Sequence, residues 1–356
     1  MNNKDNIVIL GCSIMSLYMG IRLKDIGYDV SIIEKRRSDT PASVSSYNNC
    51  NIFKESHILY INILKKYSIQ YERIEKLKNN EIFNGFINLL LQRSRSVPDY
   101  VLVSHNVASL CSYLRISKEY DVFFKNFKCC SSISKEMNSF DFVNIFKSDF
   151  SQVSKFYFVN NISLDNLLYK MITDFVNKKG KIIFNTEVVN VKYLQKKFNL
   201  GTNMQLDIKS NMLIACISQK NIKKFLHWNN EQLRFLDSVK PVYLNIVHDW
   251  LCKYLTIHNT ELAVNKHIKN TLLNTFHIVH PVYEKKKPTT IYVWKPGVNK
   301  LHCMEKIKKL YNHKFIICSD SFSKNNMFIY YSLLCVDEVL YSIFNQTIQT
   351  PLYSSY

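Results

Sequence analysis

The chain has 356 residues, 47% of them hydrophobic and 13% aromatic, enough for a full core and not the composition of a disordered chain. Glycine occurs only seven times, against roughly 25 at the usual share of ~7%, although glycine is what folds use where backbone approaches a phosphate or a flat ring. The formal charge of +19 would favour acidic partners, but the basic residues are spread, Lys35-Arg36-Arg37 and Lys285-Lys286-Lys287 being the densest runs, so a solvated surface is expected and no specific nucleic-acid binding.

The first elements are the most informative. Asn6 to Leu10 reads as a strand, Gly11-Cys12-Ser13-Ile14-Met15-Ser16 as a turn, Leu17 to Ile26 as a helix, and Tyr28 to Ile33 as a strand ending at Glu34. This is the layout of a dinucleotide-binding βαβ unit, in which a glycine-rich turn sets pyrophosphate on the helix N-terminus and an acid bonds a ribose hydroxyl. Aligned on G-x-G-x-x-G, the three positions are Gly11, Ser13 and Ser16, so only the tight-turn glycine is kept. Glu34 is the candidate ribose ligand. Arg36 either faces a phosphate or is one of three basic turn residues. Cys12 reads as packing rather than as a nucleophile.

Residues 35–56 are polar and turn-rich and read as a loop. His57 to Tyr67 and Glu81 to Leu91 read as helices, and Val97 to Phe146 as irregular apart from a helix over Asn106 to Arg115. Lys155 to Val159 is a strand, and Ser163-Leu164-Asp165 reads as the cap of a helix over Asn166 to Asn177 that Lys179-Gly180 ends. Strands follow at Lys181 to Phe184, Val188 to Tyr193, Met212 to Ser218, Val239 to Val247, Phe276 to Val282, Thr289 to Trp294 and Phe315 to Cys318, then Asp320 and a helix over Met327 to Phe344. Asp320 could bond a cofactor or simply favour the helix dipole.

These signals predict an α/β fold: one nucleotide-binding domain assembled from three segments, with a second lobe interleaved with it. The expected boundaries are 1–56, 155–220 and 311–345 for the nucleotide-binding domain, 57–154 and 221–310 for the lobe, and 346–356 for a tail. Ten cysteines without a C-x-x-C spacing read as reduced thiols, hence a cytoplasmic setting. The apolar run Ile7 to Ile21 is too short to span a membrane. His277 and His280 would point to opposite faces of a strand, so no metal site is expected.

In this order the motifs resemble the flavin-dependent amine oxidases, particularly the compact forms of large DNA viruses, over nearly the whole chain. Glu34-Lys35-Arg36 is similar to the family's Glu-x-Arg at the adenosine ribose and pyrophosphate. Phe53-Lys54-Glu55-Ser56-His57 resembles the segment closing the flavin site, and Phe156 to Ser163 the strand entering Gly-Gly-Leu-Ser. Asn185-Thr186-Glu187-Val188 resembles the strand whose valine backbone holds the adenine. Val239 to Asp249 and His277 to Pro281 resemble substrate-domain strands, and Cys318 to Ser323 with Tyr331-Ser332-Leu333 the closing Gly-Glu-x-x-Ser and Gly-Ala-Leu motif.

The resemblance implies a Rossmann-like FAD/NAD(P)-binding domain interleaved with a mixed α/β substrate lobe, a small amine as substrate, and FAD as cofactor, the FAD held by Gly11, Ser13, Ser16, Glu34, Arg36, Val188 and Asp320. Lys240 is the nearest candidate for a lysine beside the flavin, a register that fits Pro241 equally, and Tyr292, Trp294 and Phe328 are candidate amine-facing aromatics or core residues. The departures fall on ligand positions. Ser13, Ser16, Asn160-Asn161, Ser319, Met327 and Tyr331 stand at glycines, Thr40-Pro41-Ala42 at Gly-Gly-Arg and Asn49 to Ile52 at Gly-Ala-Gly-Arg. A Cβ at such places takes space the ligand needs. The sequence therefore predicts a diverged member with weakened or lost flavin binding, or an inactive scaffold serving as a binding or structural protein, with no catalytic residue assigned.

Overall fold

The computed structural model describes residues 5–37, 52–74, 81–126, 137–149, 156–159, 161–217, 219–224, 226, 228–243, 290–297, 314–319 and 329–344. The chain opens with β1 (Asn6–Leu10), helix α1 (Ile14–Asp25) and β2 (Asp29–Ile33). A short strand β3 (Ile52–Lys54) leads into α2 (Ile58–Lys66), β4 (Glu72–Ile74) and a run of five helices: α3 (Glu81–Ser94), α4 (Asp99–Ser104), α5 (Val107–Tyr113), α6 (Ser117–Asn126) and α7 (Ser139–Asp149). Strand β5 (Phe156–Phe158) and the long helix α8 (Asn161–Asn177) follow, then β6 (Lys181–Ile183), β7 (Val188–Leu194), β8 (Lys197–Thr202), β9 (Asp207–Ser210) and β10 (Met212–Ala215). Helices α9 (Gln219–Ile222) and α10 (Asn230–Asp237), strands β11 (Val239–Tyr243), β12 (Thr290–Trp294) and β13 (Phe315–Ile317), and helix α11 (Ile329–Phe344) complete the order.

The central sheet runs β13-β10-β1-β2-β6, and every neighbouring pair in it is parallel. A parallel sheet needs cover on both faces, and the alternation of β1 shows how it is supplied. Ile7 and Ile9 enter the core beneath α1, α8 and α11, with Leu17, Phe175 and Val336. Val8 and Leu10 enter a second core with Val191, Phe198 and Leu200 of the antiparallel sheet β7-β8-β9 and with Phe315. The apolar run Ile7 to Leu10 therefore serves two cores with one register.

Helix α1 packs closely on α8 because Gly20 has no side chain: a Cβ there would lie 2.9 Å from the ring of Phe175. On its other flank α1 meets α11 through a buried polar triad. Tyr18 donates its hydroxyl to Asp337 Oδ1 (2.8 Å), and Arg22 Nη1 donates to both the Tyr18 oxygen (2.8 Å) and Asp337 Oδ1 (3.1 Å). Elsewhere β3-β5-β4 form an antiparallel sheet carrying an aromatic cluster of Phe53, Tyr60, Tyr71 and Tyr157, and β11 pairs antiparallel with β12. Among the described residues no helix is long and apolar enough to cross a membrane.

Several sequence expectations need correction. The stretch from Val97 to Phe146 is not irregular around a single helix; α4, α6 and α7 stand there beside α5. Helix α4, at six residues, is too short to show a period, and α5 and α7 are started locally by asparagines: Asn106 Oδ1 accepts from the Ser109 amide and Asn138 Oδ1 from the Asp141 amide, both at 2.8 Å. Helix α8 begins at Asn161, so Ser163-Leu164-Asp165 lies inside it. Residues Ile52–Lys54, expected as loop, form a strand, and β8 and β9, rich in lysine and asparagine, were not anticipated as strands. The expected strand over Phe276 to Val282 lies outside the described residues, as do Val247 and the rest of its strand beyond Tyr243.

Candidate functional site

The turn after β1 lies where the C-terminal ends of β1, β2 and β10 meet, the crevice at which open parallel sheets take ligands. Gly11 holds it with φ +90°, its amide donating to Ile33 O (2.8 Å), while the Cys216 amide donates to Leu10 O (3.0 Å). A Cβ on Gly11 would lie 2.8 Å from Ile217 Cγ2 and 3.1 Å from the Cys216 carbonyl oxygen. The surviving glycine is thus required by the protein's own packing, whether or not a ligand is present.

Both serines of the loop turn inward on the helix. Ser13 is the N-cap of α1, and its hydroxyl accepts from the Ser16 amide (3.3 Å), while Ser16 Oγ accepts from the Ser13 amide (2.5 Å). This reciprocal capping box takes up a first-turn amide of the kind a phosphate would otherwise meet. Ser16 is wholly buried beneath the loop.

Glu34 is buried at the end of β2 with both oxygens engaged. Oε2 accepts from the Cys12 amide (2.7 Å) and Arg36 Nη2 (3.0 Å); Oε1 accepts from the Arg36 amide (2.9 Å) and Nε (3.0 Å). A carboxylate offers about four lone-pair positions, and all are filled. Arg36 Nη2 also donates to the Cys12 carbonyl (3.1 Å), closing the clamp onto the loop. Burial pushes the Glu34 carboxyl up, but the bonds from Arg36 and from the Arg36 and Cys12 amides outweigh it and hold the group below the ordinary glutamate range. For Cys12 burial dominates, the Glu34 charge adds to it and Arg36 opposes it, and the thiol is pushed up to about 12. It is a neutral packing group.

These residues line a cavity of about 390 Å³. Gly11, Ser13, Glu34, Arg36 and Val188 all stand on its wall, so the structure brings together five of the seven residues expected from the sequence. Ser16 lies below the loop, and Asp320 lies outside the described residues. The wall also contains Thr186, Cys216, Ile217 and Lys224, which sequence reasoning did not single out. Thr186 is there because the 184–187 turn docks on the 34–36 loop by backbone bonds: the Thr186 amide donates to Glu34 O (3.0 Å) and the Asn185 amide to Arg36 O (2.8 Å). Its place two residues before Val188 is the one signal the sequence offers; Lys224 carries none.

Other candidates sit apart from this wall or beyond description. Lys240 and Pro241 lie on β11, opposite Val293 and Tyr292 of β12, where Trp294 pairs with Val239. Phe328, His277, His280, Thr40 to Ile52 short of β3, Asn160 and Met327 lie outside the described residues. The ring of Tyr331 packs edge-on to buried His57 (5.8 Å between centroids), which in turn stacks on Tyr330 (4.4 Å). Among the described residues no cluster of histidine, cysteine and acids could hold a metal ion.

As folded, the groups at this turn are engaged with the protein itself: both oxygens of Glu34 are taken by Arg36 and the Cys12 amide, and Ser13 and Ser16 cap the helix they precede.

No protein-family model matches the chain, and no curated protein matches it. Solved structures do. Cyclohexylamine oxidase from Brevibacterium oxydans superposes with a TM-score of 0.64 at 8% identity, over 96% of this chain and 99% of that one. Putrescine oxidase bound to putrescine gives 0.62 at 9% identity, over 96% and 99%. A CLA-producing fatty acid isomerase from P. acnes gives 0.56 at 9% identity, over 97% and 100%. At such identities the likeness shows the fold alone: an α/β chain with a Rossmann-like domain and a mixed α/β lobe, as the sequence pattern predicts.

Proposed function

We propose that this chain is a diverged protein of the flavin-dependent amine oxidase kind in which flavin binding is weakened or lost. The observation that carries the reading is Glu34, whose four acceptor positions are all taken by Cys12 and Arg36. For FAD to bind in the manner of the fold, ribose hydroxyls would have to displace a guanidinium from a buried carboxylate. Replacing one partner in a charged hydrogen bond by a neutral one forfeits roughly 1 kcal/mol or more per bond. Residues 1–56, 155–220 and 311–345 would form the nucleotide-binding domain, and 57–154 with 221–310 the lobe, kept as a scaffold for binding or structure.

A second reading is a working oxidoreductase acting on a small amine. The cavity beside Gly11 and Glu34 favours it, since a fully degenerate site has no need to stay open. In that case the flavin would accept the hydride, and the protein would orient the amine and keep the site dry. The visible absorption spectrum of the purified chain and of its heat-released supernatant separates the two. Little or no flavin is expected. Stoichiometric flavin would overturn the first reading and restore the second.

A further inference from the structure

We propose that the cavity beside Glu34 takes a nucleotide carrying a phosphate on its ribose, in preference to one whose ribose hydroxyls are free. This rests on the reading that plain FAD is weakly held, and it names what the same crevice accepts instead.

In a βαβ site an acid selects the unmodified ribose by accepting from its hydroxyl, whereas a nearby arginine accommodates a ribose phosphate. Here both residue types are present, and the geometry decides between them. Glu34 accepts two bonds from the Arg36 side chain and one each from the Cys12 and Arg36 amides, so a ribose hydroxyl finds no acceptor there. A ribose phosphate makes the opposite demand, for donors and positive charge. The wall meets it: with Glu34 and Arg36 paired, Lys35 and Lys224 stand against the single further acid, Glu187. The Arg36 side chain keeps a third of its surface open while holding Glu34, so it can offer charge to an incoming anion without leaving its partner. A volume of about 390 Å³ is within the range of clefts that bury small ligands, roughly 300–1,000 Å³. The shared ligand chemistry is a phosphomonoester on the ribose, at the 2′ or the 3′ oxygen.

Calorimetric titration of the full chain at low ionic strength with 2′,5′-ADP, 3′,5′-ADP and 5′-ADP tests this, because all three carry the same number of phosphates. One of the ribose-phosphorylated probes should bind about ten-fold or more tightly than 5′-ADP, the scale of one hydrogen bond between charged groups. Which of the two does so identifies the position of the phosphate. Lys35→Ala and Lys224→Ala, both at exposed positions, should each weaken that probe several-fold and leave 5′-ADP unchanged. Arg36→Ala, which frees Glu34, should shift the preference toward 5′-ADP. Equal affinities, a wild-type preference for 5′-ADP, no binding of any probe, or a preference that survives both lysine substitutions would each overturn the proposal. None of these outcomes bears on flavin content, which the absorption spectrum reads independently.

Discussion

Glu34 and Arg36 are two residues apart in sequence and form an ion pair in the structure. The pair is half open: the Arg36 side chain is a third exposed, while Glu34 is buried. Removing the guanidinium leaves the carboxylate with only the Cys12 and Arg36 amides as donors. Arg36→Ala should therefore lower unfolding stability at neutral pH by roughly 1.5–3 kcal/mol, measured by urea denaturation. The pH dependence has a definite sign. Glu34 titrates below its ordinary range in the folded state, so its contribution is present above the unfolded value and is lost as pH falls through the folded one. The gap between wild type and Arg36→Ala should close on acidification; a gap that persists in strong acid would show that the clamp is not its source. Cys12, with its thiol pushed up to about 12 by burial, should resist alkylation by iodoacetamide in the native protein at neutral pH, a result read by mass spectrometry of the labelled peptide.

Helix α1 joins the nucleotide loop to α8 and α11, and its two contacts differ in kind. Toward α8 it is a close packing of Gly20 on Phe175, so Phe175→Ala should open a cavity at the centre of the layer and cost roughly 3–5 kcal/mol; a loss under 1 kcal/mol would mean the helices re-pack freely. Toward α11 it is the Tyr18–Arg22–Asp337 triad, in which Asp337 Oδ2 has no hydrogen-bond partner among the described residues. Burial raises the Asp337 carboxyl above its ordinary value, the Tyr18 and Arg22 contacts opposing it without prevailing. The protonated form is thus favoured by folding. Its contribution is full below the unfolded value and is lost as pH rises through the folded one. Asp337→Asn cannot ionise, so the stability difference between variant and wild type should shift in the variant's favour as pH rises through that range. A difference flat with pH would refute the raised value. Elements of this kind were partly legible. Helices α2 and α3 stand within a few residues of the stretches that the sequence marks, whereas α4, at six residues, is too short to show a period, and α6 and α7 fall in a stretch that reads as irregular.

Across the whole molecule the charge of +19 is the most conspicuous property, and the basic residues behind it are spread along the chain. Fluorescence anisotropy with duplex and single-stranded DNA should show weak, unselective binding that moderate salt abolishes; tight binding near physiological salt would sink the solvated-surface reading. The sequence by itself determined the β1-α1-β2 unit, the parallel strands that return to it from far along the chain, and hence the α/β class, because apolar period and turn chemistry are local. It also pointed to residues of the cavity wall, Gly11 and Glu34 by their offsets from strand ends and Val188 by the family resemblance alone. What only the tertiary structure decided is how those groups are used. That Ser13 and Ser16 close on each other, that Arg36 takes both oxygens of Glu34, and that Lys224 reaches the same wall all depend on which partners the fold brings within about 3 Å, the hydrogen-bond range. No spacing along a chain encodes that distance.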